Sequence, residues 1–158
     1  MRGSLQLSVV SLLPQGRRLR VCPTARLSAA QEVSAERGDQ AVGLIRSPAH
    51  VADVQKAGAE AVICDLEAAS DGDVAELLSG AEVVVFAAGA GAGSGAPRKD
   101  SVDRAASVLM ADAAERAGVR RFVQVSSMGA GRPPRPGTGE VWAAYITAKT
   151  AALYHASS

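Results

Sequence analysis

The sequence predicts an α/β domain with a doubly wound parallel sheet, and three observations lead to this class. From Asp39 onward, apolar segments of strand length alternate with amphipathic segments of helix length, which is the pattern of βαβ units. The segment AEVVVFAA at 81–88 is apolar at almost every position, as expected for a strand covered by helices on both faces. Charged residues, serines or glycines directly follow the apolar segments, where parallel sheets of this class bind their ligands.

The first 38 residues fit this pattern poorly. The segment LQLSVVSLL at 5–13 could form a strand, whereas residues 14–26 are basic, contain two prolines and show no period. Ser28 could cap a helix over 29–37, which Gly38 would end because glycine is favoured just past a helix. We therefore expect an irregular N-terminal segment over residues 1–27 and a domain over residues 28–158.

The elements after residue 38 have clear start and stop signals. The predicted strands cover 40–46, 59–65, 81–88 and 119–125, and the predicted helices cover 50–58, 70–78, 100–117 and a segment beginning at 141. Ser70 is expected to cap the second of these helices, with Asp73 in its first turn. Gly58, Gly80 and Gly118 mark the ends of the first three helices.

Length and composition exclude several classes of protein. A chain of 158 residues is expected to form one domain, and its net charge of +1 does not point to nucleic acid or to an anionic membrane. No run reaches the roughly 18 apolar residues of a membrane span. Cys22 and Cys64 are too few for a disulfide scaffold, which favours a cytoplasmic location. His50 and His155 have no partner at metal-ligand spacing, so we expect no metal site.

A strand, a loop and a helix between residues 119 and 149 carry the candidate chemistry. The strand ends in Ser126 and Ser127, and the helix places Tyr145 and Lys149 four residues apart on one face. A phenol, with a pKa of about 10, is a poor base at neutral pH, but a nearby cation favours the phenolate. If a hydroxyl at the strand end holds the substrate oxygen, the phenol could move a proton to or from a carbonyl or alcohol. The alternative is a solvated helix face on which Lys149 extends along the surface.

Six short motifs occur in the order found in a known enzyme superfamily. They are GLIRSP (43–48), CDLE (64–67), VVVFAAGAG (83–91), the segment 96–104, AERAGVRRFVQVSSMGA (114–130) and YITAK (145–149). On these motifs, the region from about Glu36 to Leu153 resembles the short-chain dehydrogenase/reductase superfamily. It is most similar to the small atypical and extended members, the NAD(P)H-binding, epimerase-like proteins of bacteria. The resemblance implies a Rossmann-like fold.

The resemblance also implies a cofactor site. Arg46 would lie where such proteins recognise the adenosine ribose, and an arginine there favours a 2′-phosphate, hence NADP, with NAD as the other possibility. Asp65 and Leu66 would border the adenine. The small residues that would line the ribose and nicotinamide of the cofactor are Ala87, Ala88 and Gly89. Three alternatives remain: Arg46 as an ordinary strand-end cation, Asp65 as a turn residue, and the glycine-rich run at 89–95 as a flexible loop.

The same resemblance assigns catalytic roles near the end of the chain. Ser126 or Ser127 would hold the substrate, and Tyr145 would be the acid/base. Lys149 would bind the nicotinamide ribose and lower the pKa of the tyrosine. The implied activity is that of an oxidoreductase or epimerase acting on a small carbonyl or alcohol substrate.

The sequence departs from the superfamily at both ends. The superfamily's first strand leads into a Gly-x-x-Gly-x-x-Gly loop that binds pyrophosphate at a helix N-terminus, but Gly3 and Gly16 are the only glycines before Gly38. The segment 5–13 could fill the slot of that strand, between the second and fourth strands. No sixth strand or substrate-binding segment follows the Tyr/Lys helix. We therefore expect a truncated or frame-disrupted copy of a longer enzyme, with a partial NAD(P)-binding domain over 28–158.

Three functions fit these observations. The first is an NAD(P)-dependent oxidoreductase or epimerase that binds a small-molecule substrate and uses Tyr145 and Lys149. The second is a non-catalytic NAD(P)-binding protein of the same fold that senses redox state. The third is an inactive remnant. The missing glycine loop favours the last two, whereas the Tyr/Lys pair and the serines favour the first.

Overall fold

The centre of the molecule is a five-stranded sheet in which all four strand pairs are parallel. The computed structural model describes residues 18–22, 40–91 and 93–156. The strands are β1 (Arg18–Cys22), β2 (Gln40–Ile45), β3 (Glu60–Ile63), β4 (Val83–Phe86) and β5 (Arg121–Gln124). Their spatial order, β3-β2-β1-β4-β5, is that of a doubly wound Rossmann-like sheet, so the predicted fold class is confirmed.

The helical elements alternate with these strands as the sequence pattern indicates. The α-helices are α1 (Val51–Lys56), α2 (Asp71–Leu78), α3 (Ala96–Arg98), α4 (Ala106–Arg116) and α5 (Glu140–His155). A 3₁₀ turn over Pro48–His50 precedes α1. The helix predicted over 100–117 differs in detail, because a π-helix over Lys99–Ala105 joins α3 to α4. The helix predicted over 29–37 lies outside the described residues.

The central strand β1 is formed by residues that the sequence analysis placed in an irregular segment. Leu19 pairs with Ala41 of β2 on one side and with Val83 of β4 on the other, so β1 fills the slot between those strands. The segment 5–13, which we considered for this slot, lies outside the described residues. RLRVC was missed because central parallel strands usually read as apolar runs, and two of its five residues are arginines.

Helices cover both faces of the sheet, and the larger core lies under α2 and α4. On this face Phe86, Leu78 and Met110 are completely buried. On the other face, Val54 of α1 packs with Ile45 of β2 in a smaller cluster. Burying each such side chain contributes roughly 1.5–3 kcal/mol, so these contacts anchor the helices to the strands and hold the strand ends in place.

Ser70 caps α2 as predicted. Its hydroxyl accepts a hydrogen bond from the backbone N–H of Asp73 (3.2 Å), and the Asp73 carboxylate accepts one from the backbone N–H of Ser70 (3.3 Å). This reciprocal pair satisfies two N–H groups that a helix start leaves without partners. The hydrogen bonds from the side chain and backbone of Ser70 also lower the pKa of the Asp73 carboxyl.

No helix within residues 40–91 and 93–156 is long and apolar enough to cross a lipid bilayer.

Candidate functional site at the carboxyl edge of the sheet

The parallel arrangement brings four chain segments to one edge of the sheet. Arg46, Cys64, Ala87 and Val125 directly follow the last residues of β2, β3, β4 and β5. Backbone pairing extends slightly past the strands: the N–H of Cys64 donates to the carbonyl of Ile45 (2.8 Å), and that of Val125 donates to the carbonyl of Phe86 (2.9 Å). The segments that follow these strands therefore start from fixed positions at this edge.

Helix α5 brings Tyr145 and Lys149 to this edge, and Lys149 is buried there. Only 3% of Lys149 is exposed, and its Nζ atom lies 5.9 Å from the centre of the Tyr145 ring. The same ammonium donates a hydrogen bond to the carbonyl of Val125 at 3.2 Å, just before Ser126 and Ser127. The alternative in which Lys149 lies along a solvated helix face is therefore wrong. The structure brings the Tyr/Lys pair to the end of β5, as the motif order predicts.

A buried carboxylate that the sequence analysis did not single out completes the surroundings of Lys149. Asp103, in the π-helix, is 1% exposed, and its Oδ1 atom lies 3.4 Å from the Nζ of Lys149. Its other oxygen accepts a hydrogen bond from the backbone N–H of Ala90 at 3.2 Å. A Cβ atom on Gly89 would come within 2.9 Å of Asp103 Oδ1, so only glycine fits here without displacing the carboxylate. Asp103 thus joins the loop after β4 to the lysine of α5.

Burial and charge act in opposite directions on Lys149. Burial lowers the pKa of the Lys149 ammonium below its ordinary value, because removal from water disfavours the charged form. The carboxylate of Asp103 raises the pKa of Lys149 and partly offsets the burial, whereas the nearby cation Lys99 lowers it further. The net direction is downward, which makes the proton of Lys149 easier to remove than that of a surface lysine.

Lys99 is a second buried lysine beside Tyr145. Its Nζ atom donates a hydrogen bond to the carbonyl of Gly91 at 2.8 Å and lies 5.3 Å from the centre of the Tyr145 ring. Trp142 packs against the same tyrosine, with the two ring centres 5.2 Å apart. The ring of Tyr145 therefore lies among two ammonium groups and one indole.

The π-helix is what places Lys99 and Asp103 together on this face. The backbone N–H of Ala106 reaches back to the carbonyl of Ser101, one residue further than in an α-helix. Short π-helical turns of this kind are rare and frequently occur at functional sites. A signal was present in the sequence, because Asp103 lies three residues before Ala106 and seven before Met110, on the apolar face of the predicted helix.

The two serines at the end of β5 differ in their surroundings. Ser126 is exposed, and Ser127 is half-buried, with its hydroxyl donating to the carbonyl of Met128 at 3.4 Å. Both follow the carbonyl that holds Lys149. The structure therefore places them one and two residues after the carbonyl that binds Lys149, and a role in holding substrate stays a prediction.

Two of the three residues predicted to contact the adenosine end of the cofactor, Arg46 and Asp65, form hydrogen bonds with Glu67. The Nη1 atom of Arg46 donates to Glu67 Oε2 at 3.0 Å. Asp65 accepts a hydrogen bond from the backbone N–H of Glu67 at 3.0 Å, which is the turn geometry considered as its alternative. Leu66 is half-buried and packs against the main core. Glu67 itself was missed, since its contacts link residues far apart in sequence.

Small residues follow β4, where the cofactor was expected. Ala87 is buried, Ala88 is partly buried against the main core, and a Cβ atom added to Gly89 would meet Asp103. Gly91 has a φ angle of +80°, a left-handed conformation that favours glycine. The carbonyl of Gly91 also accepts a hydrogen bond from Lys99, so this part of the glycine-rich loop has a defined course.

The described residues at this edge fit a dinucleotide. Small side chains follow β4, and the cations Arg46, after β2, and Lys149, at the end of β5, lie on either side of them, where anionic and hydroxyl groups of a cofactor would need donors. The segment that would follow β1 and meet the pyrophosphate falls within residues 23–39, outside the described part. No group of three or more His, Cys, Asp or Glu residues in the described ranges could hold a metal ion.

Comparisons with known proteins agree with this geometry. A family model described as NAD(P)H-binding matches residues 24–157. Among curated proteins, the chain is 31% identical over 110 residues to a UPF0659 protein of Schizosaccharomyces pombe, covering 66% of this chain and 44% of that protein. It is 32% identical over 85 residues to an uncharacterised sugar epimerase of Bacillus subtilis, covering 54% of this chain and 39% of that protein.

Solved structures show the same fold. A Bacillus halodurans protein assigned as an NAD-dependent epimerase/dehydratase superposes with a TM-score of 0.75 at 26% identity, over 89% of this chain and 64% of that chain. The Bordetella bronchiseptica enzyme WbmH, solved in complex with NAD⁺, superposes with a TM-score of 0.70 at 17% identity, over 90% of this chain and 52% of that one.

The matched part of the chain spans less than half the length of these curated relatives, at 44% and 39%. The family match nevertheless covers most of the chain, including β2 to β5 and the Tyr/Lys helix. Together with the sheet order, it confirms the resemblance to the short-chain dehydrogenase/reductase superfamily. The chain belongs to the NAD(P)H-binding family of Rossmann-like proteins.

Proposed function

We propose that the chain is the cofactor-binding part of an NAD(P)-dependent oxidoreductase or epimerase that acts on a small carbonyl or alcohol. The observation that carries the proposal is the buried Lys149 ammonium, held by the carbonyl of Val125 beside the ring of Tyr145. A buried, positioned lysine next to a phenol has the components of a proton-transfer site. We include in this proposal the cytoplasmic location that the sequence favours.

Tyr145 would be the acid/base of the reaction. In reduction the phenol would give its proton to the carbonyl oxygen of the substrate, and in oxidation the phenolate would accept the proton of the substrate hydroxyl. The ammonium groups of Lys99 and Lys149, at 5.3 and 5.9 Å from the ring centre, would stabilise negative charge that develops on the phenol. Ser126 or Ser127 would hold the substrate oxygen. The cofactor, when bound, would supply or accept a hydride.

Lys149 would also bind the nicotinamide ribose. An ammonium has three N–H donors, and one of them binds Val125 while the carboxylate of Asp103 lies on another side. This arrangement fixes the lysine and leaves donor capacity for the nicotinamide ribose. Asp103 is a positioning residue in this proposal, because it acts through Lys149 and the loop at Ala90.

NADP is the proposed cofactor, with NAD as the alternative. Arg46 lies directly after β2 and carries a half-exposed guanidinium. A guanidinium binds phosphate through paired hydrogen bonds, which favours the 2′-phosphate of NADP. The two alanines after β4 and Gly89 would line the ribose and nicotinamide, while Asp65 and Leu66 would border the adenine.

A non-catalytic NAD(P)-binding protein that senses redox state is the second candidate. The observation that favours it is in the sequence: no glycine occurs between Cys22 at the end of β1 and Gly38. The superfamily uses glycines there to bring backbone N–H groups close to the pyrophosphate, so a sequence without them favours weak cofactor binding. Such a chain would bind the cofactor weakly and show no turnover.

Two substitutions test the proposed function. Tyr145→Phe should abolish NADPH-dependent reduction of small aldehydes and ketones and leave cofactor affinity nearly unchanged, because the phenol serves only the proton transfer, worth about 10²–10⁴ in rate. Lys149→Ala should reduce both turnover and affinity. Tyr154→Phe and Lys56→Ala make the same chemical changes at exposed positions of α5 and α1, and should alter neither quantity.

The single tryptophan, Trp142, is a convenient probe for the binding measurement, because it packs against Tyr145. Its fluorescence should be quenched when NADPH occupies the site. Equal and negligible effects of Tyr145→Phe and Lys149→Ala on turnover would refute the catalytic proposal. Turnover absent in the unmodified chain, with saturable cofactor binding retained, would support the redox-sensing candidate.

A further inference from the structure

The Glu67 cluster, formed by Arg46, Glu67, Arg98 and Ser101, joins three parts of the carboxyl edge. Glu67 accepts hydrogen bonds from Arg46 Nη1 at 3.0 Å, from Arg98 Nη2 at 2.9 Å and from Ser101 Oγ at 2.6 Å. Arg46 follows β2, Glu67 lies in the turn after β3, and the other two belong to α3 and the π-helix. One carboxylate therefore connects the ends of two strands to the helix start that follows the glycine-rich loop.

Charge and exposure in this cluster are unequal. Two guanidinium groups share one carboxylate, so the cluster carries one excess positive charge. The side chains of Arg46 and Arg98 are 55% and 42% exposed, whereas that of Glu67 is 25% exposed. A guanidinium has five N–H donors, and each arginine contacts Glu67 through one terminal nitrogen. Guanidinium donors of the cluster therefore face solvent, whereas the carboxylate of Glu67 is less exposed.

We propose that Glu67 is a resident counter-ion at the adenosine ribose, and that it reduces the preference for NADPH over NADH that Arg46 and Arg98 provide. This inference rests on the proposed function, which puts the ribose beside Arg46. A 2′-phosphate would have to take the hydrogen bonds of Arg46 and Arg98 from Glu67. The carboxylate therefore competes with the phosphate for the two arginines, and its negative charge repels the phosphate. A ribose 2′-hydroxyl, in contrast, can donate a hydrogen bond to a carboxylate. Arg98 becomes a second phosphate ligand in this arrangement.

The size of the effect follows from Coulomb's law. In water, a carboxylate is repelled by a nearby phosphate with two negative charges by on the order of 1.4 kcal/mol, which corresponds to about tenfold in affinity. The repulsion is larger where the site excludes water. The same carboxylate has no such effect on NADH, since its ribose carries no phosphate.

Glu67→Gln tests the proposal by direct binding. The amide removes the charge with almost no change of shape, and it keeps one acceptor oxygen, which can serve either the arginines or Ser101. We expect NADPH to bind about tenfold or more tightly to this variant, while the affinity for NADH is unchanged or falls. The Kd values would be measured by calorimetry or by Trp142 fluorescence at one fixed ionic strength, because salt screens exposed charges.

Glu60→Gln is the matched control. Glu60 is exposed at the opposite end of β3, and its substitution changes the net charge by the same amount. It should leave the ratio of the two Kd values unchanged. Arg98→Gln should weaken NADPH binding and spare NADH, and it provides an independent test if Glu67→Gln lowers the thermal stability enough to prevent measurement.

The outcomes separate this inference from the proposed function. If the unmodified chain binds either cofactor but Glu67→Gln and Arg98→Gln leave the NADPH/NADH ratio unchanged, Glu67 is only a structural link and the inference is wrong. If the unmodified chain binds neither cofactor up to millimolar concentration, the proposed function itself fails.

Discussion

Lys149 is surrounded by a carbonyl, a carboxylate and two aromatic rings. The carbonyl of Val125 and the carboxylate of Asp103 fix its ammonium, and the rings of Phe86 and Tyr145 each lie 5.9 Å from it. Breaking a buried pair of this kind by removing one partner typically costs about 3–5 kcal/mol, because the other charge is left without compensation. The i, i+4 spacing of Tyr145 and Lys149 is local and could be predicted from the sequence. The contact with Asp103 could not, because it depends on how α5 packs on the π-helix.

Asp103→Asn should lower the pKa of Lys149 further. The carboxylate raises the pKa of this lysine against the effect of burial, so its neutralisation leaves burial and Lys99 unopposed. The measurement is a pH titration of the side-chain Cε signals by NMR in protein labelled at lysine, which is practical because the sequence has three lysines.

Asp100→Asn serves as the control for that titration. Asp100 lies in the same π-helix but pairs with Arg104 at the surface, so its neutralisation should leave the Lys149 signal where it was. A Lys149 pKa that is unchanged or higher in Asp103→Asn would show that the buried ion pair is not formed in solution.

At the scale of elements, local signals were sufficient for most of the fold. The apolar runs predicted β2 to β5, and Ser70 and Asp73 predicted the start of α2, because a capping box needs only four consecutive residues. β1 was missed because arginines interrupt it. The π-helix was missed because its period differs little from that of an α-helix over seven residues. In both β1 and the π-helix, tertiary packing decides the structure against the local sequence pattern.

Gly89→Ala should separate the loop after β4 from the π-helix. The added methyl group would lie 2.9 Å from Asp103 Oδ1, and relieving such overpacking typically costs about 1–3 kcal/mol. We expect this loss in the free energy of unfolding by urea, together with weaker cofactor binding because the loop shifts.

Gly72→Ala gives the opposite expectation. Gly72 lies in the first turn of α2, and a Cβ atom added there would lie 3.9 Å from its nearest neighbour, the hydroxyl oxygen of Ser70. The replacement should be neutral or stabilise by about 0.4–1 kcal/mol, since alanine reduces the entropy of the unfolded chain. A Gly89→Ala variant as stable as Gly72→Ala would contradict the close contact with Asp103.

At the scale of the whole molecule, topology creates the site. Parallel strands place the residues that follow β2, β3, β4 and β5 at one edge, so the sequence could predict that Arg46, Gly89 and Ser126 share a region. It could not predict the contacts within that region, such as those of Glu67, because they join residues more than twenty positions apart. The turns that precede strands, at Gly58, Gly80 and Gly118, lie at the opposite edge.

An NMR titration of the isotope-labelled chain with NADPH tests the binding site most directly. We expect saturable amide shift changes at the carboxyl edge, at residues 46–47, 87–91 and 125–127, and in α5 around Tyr145. The turns at Gly58, Gly80 and Gly118 serve as internal controls and should not shift. No saturable change up to millimolar NADPH, or changes confined to those three turns, would contradict the claim that this edge binds the cofactor.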